Sequence, residues 1–150
     1  MKREDGARAV TAALLAHDWQ VNVASRREEQ AQELAQEFSN EIKALPFSSA
    51  TIQQQLLRCG LLVNATPLGM FPKVDGDPLP GDVDLPEHIR VYDLVYNPIE
   101  TRLIKRTRQS GACGVTGLGM LVEQAALAFE KWTGVSVNRK LLWKDLKNEL

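Results

Sequence analysis

The spacing of apolar residues in the first part of the chain alternates between a helical and a strand period. A helix is predicted almost from the first residue to about Ala16, and a second helix follows Glu28 and Glu29, whose charges suit a helix N-terminus. Between the two helices, residues 20–25 alternate and are rich in valine, which predicts a short strand. A weaker strand is predicted over residues 41–45. The apolar positions of the two helices are Ala7, Val10, Leu14, Leu15, Ala31, Leu34, Ala35 and Phe38.

The middle of the chain continues the alternation. A helix that includes Ile52 precedes the apolar run 61–63, which predicts a buried strand. Residues 67–88 are rich in proline and glycine and predict a long irregular loop, of the kind that usually serves a function. A strand over residues 91–96 and a helix over residues 100–109 follow. The helix near Ile52 has its apolar positions at Ile52, Leu56 and Leu57.

The C-terminal part adds a short strand near Val115 and two helices, the first of which is stopped by Gly134. Strands that alternate with helices imply a parallel sheet with helices on both faces, so we predict a three-layer α/β fold in a single domain. The first of the two helices carries the apolar positions Met120, Leu121, Ala125, Ala128, Phe129 and Trp132. The second carries Val137, Leu141, Leu142, Leu146 and Leu150.

Composition narrows the class of protein. The 150 residues have a formal net charge of -1, which makes nucleic acid and anionic membranes unlikely partners. No apolar run approaches the roughly 18 residues of a membrane span, so we expect a soluble, cytoplasmic protein. Cys59 and Cys113 lack nearby histidines and are expected to be free thiols rather than a metal site or a disulfide. His17 and His88 fit no triad pattern and are expected at the surface.

Polar residues follow the predicted strands at the edge where open parallel sheets bind ligands. Asn64 and Thr66 come directly after the buried strand, and Tyr96 ends the next strand along the chain. Gln124 lies on the helix after the last strand, and Gly117 frees the backbone just before that helix, as does the glycine two residues later. We therefore expect Asn64, Tyr96 and Gln124 to converge on one cleft.

Each candidate also has a purely structural interpretation. Asn64 and Thr66 can cap a turn with their side chains. Tyr96 can cap the core as a half-buried tyrosine, and Gln124 can be a solvated residue on a helix surface. Arg26 follows the strand over residues 20–25, so it can be an exposed arginine at a helix start or can bind the 2'-phosphate of a dinucleotide. The residues by themselves leave both interpretations open.

Three segments in series identify a family: residues 64–70 (NATPLGM), 93–101 (DLVYNPIET) and 117–126 (GLGMLVEQAA). In this order and spacing they resemble the shikimate dehydrogenase family. The resemblance runs from Gly6 to about Gly134 and includes residues 129–134 (FEKWTG). It implies that residues 1–150 are a single NADP-binding, Rossmann-like domain, the C-terminal domain of such an enzyme.

The activity implied by the resemblance is the NADPH-dependent reduction of 3-dehydroshikimate to shikimate, on the route to chorismate and the aromatic amino acids. The resemblance assigns substrate contacts to Tyr96 and Gln124, and it favours Arg26 as the arginine that selects NADP over NAD. The family's later basic residue corresponds to Gln30 here. The cofactor contacts that it implies are Gly6, Ala7, Ser25, Arg26, Arg27, Asn64, Thr66, Leu94 and Gly117.

The chain departs from the family pattern at its start. Gly6 and Ala7 match the end of the family's glycine-rich fingerprint, but Arg3, Glu4 and Asp5 occupy the preceding positions, and two carboxylates there would repel a diphosphate. We therefore expect weak cofactor affinity. The family's catalytic lysine and aspartate belong to an upstream domain that no segment of this sequence resembles. No catalytic residue is assigned, and no metal site is expected.

The usual first strand of the fold is also not found in the sequence. Because that strand lies in the middle of the usual order 3-2-1-4-5-6, its loss leaves two inner edges unpaired, and such edges promote self-association. Two hypotheses follow. The chain is either part of a shikimate dehydrogenase that is inactive on its own, or a non-catalytic binding or assembly module derived from a nucleotide-binding fold.

Overall fold

The computed structural model describes residues 5–38 and 41–149, which form alternating helices and strands. Arg3, Glu4 and Leu150, and the helix start predicted at the first residue, lie outside the described residues. The helices are α1 (Asp5–Leu15), α2 (Glu28–Glu37), α3 (Ser49–Leu56), α4 (Arg102–Gln109), α5 (Leu118–Thr133) and α6 (Arg139–Glu149). The strands are β1 (Asn22–Ala24), β2 (Lys43–Leu45), β3 (Leu61–Asn64), β4 (Arg90–Asp93) and β5 (Cys113–Thr116).

Every strand pair is parallel, as the alternation of strands and helices predicts. The strands form two sheets, one with β1 beside β2 and one with the order β3-β4-β5. Within the described ranges, β1 pairs only with β2 and β3 only with β4. Both strands therefore keep one edge without a strand partner in the described ranges.

Local signals explain most of the helix boundaries. Thr101 caps α4 by accepting a hydrogen bond from the Ile104 backbone N–H at 3.2 Å. Gly134 ends α5 as predicted, because it adopts φ of 70°, and its N–H bonds to the Glu130 carbonyl at 2.8 Å. The acidic first turn of α2 also agrees with the prediction, since Glu28 and Glu29 open that helix.

The proline-rich segment between β3 and β4 supplies part of the hydrophobic core. It has no helix or strand, as predicted, but four of its apolar side chains are buried, which the sequence did not reveal. Their spacing is neither helical nor alternating, so no periodicity marks them. The four residues are Leu79, Val83, Leu85 and Ile89, and they pack with Ile52, Leu56, Val91, Leu103 and Ala112.

Arg106 on α4 fixes this segment in place. Its guanidinium donates to Asp77 Oδ2 at 2.9 Å, to the Pro80 carbonyl at 3.2 Å and to the Val83 carbonyl. The side chains of Arg106 and Asp77 are only 18% and 12% exposed. A fork of donors that binds one carboxylate and two backbone carbonyls explains how an irregular segment keeps a single conformation.

Three predictions about individual elements are wrong in detail. β4 ends at Asp93, so Tyr96 lies beyond the strand instead of ending it. Residues 61–63 are half-buried rather than buried, because β3 is an end strand of its sheet in the described structure. Leu57 is 61% exposed, since α3 ends at Leu56 and the chain then turns.

The sequence predicted the wrong buried face for most of α5. Leu118, Val122 and Ala126 are buried, whereas Phe129 is 47% and Trp132 is 83% exposed. The two sets of residues overlap in sequence, and both satisfy the helical period, so periodicity could not choose between them. One side of α5 therefore presents large apolar side chains to solvent.

Arg139 holds α6 against α5. It donates to Glu123 Oε2 at 2.8 Å and to both carboxylate oxygens of Glu130 at 3.0 and 3.1 Å. The pKa of Glu130 is lowered by the hydrogen bonds from Arg139 and, next, by the hydrogen bond from the Val137 backbone N–H. Trp143 of α6 faces Gly119, where a Cβ would lie 3.3 Å from Trp143 Cζ2.

Cys59 and Cys113 are free, as expected, and His17 and His88 are exposed. The described part of the chain has no helix long and apolar enough to cross a membrane.

Candidate functional site

The carboxyl ends of the three strands in the larger sheet lie side by side. The register pairs Asn64 of β3 with Asp93 of β4, and Asp93 with Thr116 of β5. The segments that follow these strands begin at the same edge, where parallel sheets bind ligands. This edge carries the motifs that the sequence analysis singled out.

Leu94 lies close to three other predicted cofactor residues. Its backbone N–H donates to the Asn64 carbonyl at 3.0 Å, and its Cδ1 would lie 3.6 Å from a Cβ on Gly6 in α1. A Cβ on Gly117 would lie only 2.2 Å from the Leu94 carbonyl oxygen, so the close approach of these two backbones requires glycine. The structure therefore brings Gly6, Asn64, Leu94 and Gly117 together.

Asp93 is a buried carboxylate that the sequence analysis did not select. It is 0% exposed and accepts hydrogen bonds from Asn64 Nδ2 at 2.8 Å, from the Val95 N–H at 3.1 Å and from Thr101 Oγ1 at 2.6 Å. No lysine, arginine or histidine in the described residues forms an ion pair with it. The available signal was a single acidic residue in a predicted strand, at the position where β4 ends.

Burial raises the pKa of Asp93, and the charge of Asp77 acts in the same direction. The hydrogen bonds from Thr101, Val95 and Asn64 oppose this effect because they favour the charged form. The carboxyl group is thus isolated from solvent and from countercharge, and neutral donors alone stabilise it.

The side chain of Asn64 is fully engaged inside the protein. It is 4% exposed, and its Oδ1 accepts hydrogen bonds from the Thr66 N–H at 3.0 Å and from Thr66 Oγ1 at 2.7 Å. Thr66 Oγ1 in turn accepts from the Leu68 N–H at 3.3 Å. These contacts correspond to the turn-capping interpretation of Asn64, while Thr66 itself is exposed at the edge of the sheet.

Tyr96 and Gln124 both lie at the surface. Tyr96 is 40% exposed, and Gln124 occupies the second turn of α5 with its side chain exposed. Neither side chain has a hydrogen-bond partner among the described residues, so the phenol and the amide are available to an external polar group. Their roles in substrate binding remain predictions.

The arginines after β1 are exposed and lie at the carboxyl end of that strand. Ser25 Oγ accepts from the Arg27 N–H at 3.3 Å and donates to Gln30 Oε1 at 3.4 Å, which shapes the turn into α2. The Arg26 guanidinium has no partner among the residues described here. Ala7 is half-buried in the first turns of α1, one residue after Gly6.

Two shallow cavities lie away from this edge, between α4 and the proline-rich segment. Their volumes are about 290 and 370 Å³, and Arg102 and Lys105 line both. Neither cavity includes a residue that the sequence predicted for the site. The described residues also contain no group of three or more side chains that could hold a metal ion.

Parallel strands flanked by helices, with the polar motifs collected at the carboxyl edge, define a Rossmann-like α/β domain. The family model described as "Shikimate 5'-dehydrogenase C-terminal domain" matches residues 117–147. The shikimate dehydrogenase (NADP(+)) of Methanopyrus kandleri is 39% identical over 136 residues, which are 85% of this chain and 47% of that protein. These matches support an assignment to the shikimate dehydrogenase family.

Solved structures agree with this assignment. Shikimate 5-dehydrogenase from Thermus thermophilus in complex with NADP(H) and shikimate matches with a TM-score of 0.78 and 32% identity, over 95% of this chain and 51% of that one. Quinate dehydrogenase from Corynebacterium glutamicum in complex with NAD matches with a TM-score of 0.78 and 31% identity, over 94% of this chain and 51% of that one. The chain spans about half the length of the curated relatives it matches.

Proposed function

We propose that this chain is the dinucleotide-binding part of a shikimate dehydrogenase-type oxidoreductase, which uses NADPH to reduce 3-dehydroshikimate to shikimate in aromatic amino acid biosynthesis. The Methanopyrus kandleri relative named above is a shikimate dehydrogenase (NADP(+)), and one solved relative holds both NADP(H) and shikimate. The observation that carries the proposal is the meeting of Gly6, Asn64, Leu94 and Gly117 at the carboxyl edge of the sheet. We infer that residues 1–150 form a single domain.

The residues present fit NADP at two positions. Arg26 offers an unpaired guanidinium at the end of β1, where a Rossmann-type fold meets the adenosine ribose, and it would bind the 2'-phosphate, with Ser25 and Arg27 beside it. The segments that follow β3, β4 and β5, which carry Thr66, Leu94 and Gly117, would lie against the nicotinamide end. NADPH would supply the hydride.

Tyr96 and Gln124 would donate hydrogen bonds to the hydroxyl and carboxylate groups of the substrate, because both side chains are exposed and without protein partners in the described structure. We assign no catalytic acid or base within residues 5–149. We expect no turnover of 3-dehydroshikimate by this chain alone, and a cytoplasmic location, which the two unpaired thiols support.

The test is a titration with NADP⁺ and with NAD⁺, followed by calorimetry and by tryptophan fluorescence, since Trp143 lies against Gly119 near the site. A charge-assisted bond between Arg26 and the 2'-phosphate should make NADP⁺ bind about tenfold or more tightly than NAD⁺. The dissociation constant for NADP⁺ is expected to lie above the micromolar range. Absence of saturable NADP⁺ binding would contradict the proposal.

We also propose that the chain self-associates through the open edges of β1 and β3. Two strand edges without partners in the described structure support this, because unpaired N–H and C=O groups are templates for another strand. The exposed side chains of Phe129 and Trp132 on α5 form a second apolar surface through which the chain can associate.

A further inference from the structure

Asp93 is placed to control the shape of the proposed site without touching a ligand. It is fully buried, so neither a dinucleotide nor a substrate can reach its carboxylate directly. Its three hydrogen-bond donors belong to three different segments: the last residue of β3, the turn after β4 and the N-terminus of α4. Asp93 is therefore the point at which these segments are joined.

The connection to the first turn runs through Asn64. Asn64 Nδ2 donates to Asp93 Oδ1 at 2.8 Å, which orients the amide so that Asn64 Oδ1 faces Thr66. The amide oxygen then accepts both the N–H and the hydroxyl of Thr66. Thr66, the exposed member of this turn, is thus oriented by a chain of bonds that starts at Asp93.

The connection to the second turn runs through Val95. The Val95 N–H donates to Asp93 Oδ1 at 3.1 Å, and the Val95 carbonyl accepts from the Gly117 N–H at 3.2 Å. Leu94 lies between Asp93 and Val95 in the chain, with its carbonyl against Gly117, and Tyr96 follows Val95 directly. The position of Leu94 and Tyr96 relative to α5 therefore depends on the same carboxylate.

A carboxylate suits this position better than any other side chain of its size. It accepts at both oxygens and donates at neither, whereas an amide would turn one N–H₂ group toward a donor. The donors of Asn64 and Val95 share Oδ1, and Thr101 occupies Oδ2, so either orientation of an asparagine would leave at least one donor in conflict.

We propose that Asp93 is a positioning residue, which holds the Thr66 turn and the Leu94–Tyr96 turn in the arrangement that receives the dinucleotide and the substrate. This inference rests on the proposed function for the identity of the ligands. Thr101 contributes to the same arrangement, because its hydroxyl connects the other oxygen of the Asp93 carboxylate to the start of α4.

The experiment compares Asp93→Asn and Thr101→Val with Thr101→Ser, which keeps the hydroxyl. Two quantities are measured under conditions where every variant is folded: the hydrogen-exchange protection of the Thr66 and Val95 amides in the ligand-free protein, and the affinity for NADP⁺. Asp93→Asn and Thr101→Val should lower protection at Thr66 and Val95 selectively, relative to the Val91 amide in β4. Both should weaken NADP⁺ binding by about tenfold or more, while Thr101→Ser should change neither quantity.

Ile52→Val serves as the control for a general loss of stability, because Ile52 is a buried core residue that takes no part in the hydrogen bonds of Asp93. It should leave NADP⁺ affinity unchanged. The inference is overturned if Asp93→Asn binds NADP⁺ as the parent does, or if its protection falls equally at all amides. If the parent chain does not bind NADP⁺, the proposed function is wrong, and the selective loss of protection alone decides whether Asp93 positions the two turns.

Discussion

The backbones of Gly117 and Leu94 approach so closely that a Cβ on Gly117 would lie 2.2 Å from the Leu94 carbonyl oxygen and 2.8 Å from the carbonyl carbon. The contact joins the turn after β4 to the first residue before α5. Gly117 has φ of -68° and ψ of 6°, which any residue can adopt. Its requirement for glycine is therefore one of space and not of backbone conformation.

Gly117→Ala should destabilise the domain by about 1–3 kcal/mol, because two backbone segments must move apart to admit the methyl group. Urea unfolding measures the change. Gly81→Ala is the matched control, since a Cβ at Gly81 would meet nothing within 4 Å, and its effect should stay within about 0.5 kcal/mol. Equal unfolding midpoints for the two variants would contradict the steric argument.

Arg106→Ala should lower the free energy of unfolding by about 1.5–3 kcal/mol, because it removes the donor at 2.9 Å from the largely buried Asp77 carboxylate and the donor to two loop carbonyls. Asp77 then keeps the Leu79 N–H at 3.0 Å and the more distant Arg102 at 3.5 Å. It should also expose the segment between β3 and β4 to limited proteolysis. Arg108→Ala on the same helix is the control. The Arg108 side chain is 74% exposed in its ion pair with Glu100, so its loss should cost no more than about 1 kcal/mol.

Acid should release α6 from α5. Since the folded pKa of Glu130 is lowered, its contribution to stability is present above the ordinary value of about 4.3 and is lost as the pH falls through the folded value. The emission of Trp143, in a background with Trp19→Phe and Trp132→Phe, reports the release. Glu130→Gln should show the released emission already at neutral pH. Glu33→Gln, at an exposed position of α2, should behave like the parent.

Arg26→Ala should weaken NADP⁺ binding by about tenfold or more and leave NAD⁺ binding unchanged, because only NADP⁺ carries the phosphate that this guanidinium would bind. Calorimetry with both nucleotides measures the difference. Arg58→Ala, which removes an exposed arginine after α3, is the control for a general loss of positive charge. Equal losses for the two nucleotides would remove Arg26 from the proposed role.

Sedimentation velocity should show that the chain associates as its concentration rises. Ala24→Lys places a charge at an exposed position of β1 and should reduce the association, as lysine on an edge strand usually does. Trp132→Gln removes the most exposed aromatic side chain of α5 and should have a smaller effect. If only Trp132→Gln reduces association, the helix surface and not the strand edges is responsible.

The elements of the fold were largely predictable because each one carries a local signal. Valine-rich alternation located β1, acidic residues opened α2, and Gly134 ended α5. The choice of the buried face of α5 was not predictable, since Val122 and Phe129 both fit the helical period and only the rest of the fold decides between them.

The candidate site was predictable as a set of motifs but not as a set of contacts. The motifs containing Asn64, Leu94 and Gly117 were recognised, and the structure brings these residues together. The sequence did not show that the side chain of Asn64 forms its hydrogen bonds with Asp93 and Thr66. These partners are 29 and 2 residues away, and only the register of β3 and β4 brings Asn64 and Asp93 together. Long-range hydrogen bonds leave no periodic signal in a sequence.

The proline-rich segment has a consequence for synthesis of the chain on the ribosome. Val83 and Ile89 pack in the core with Leu103 and Ala112, and Arg106 ties the same segment to α4. β1, α2 and β2 can assemble from contiguous residues early, but the core cannot close until the chain has emerged beyond Ala112. A nascent chain that stalls earlier would expose its unburied leucines and valines to chaperones.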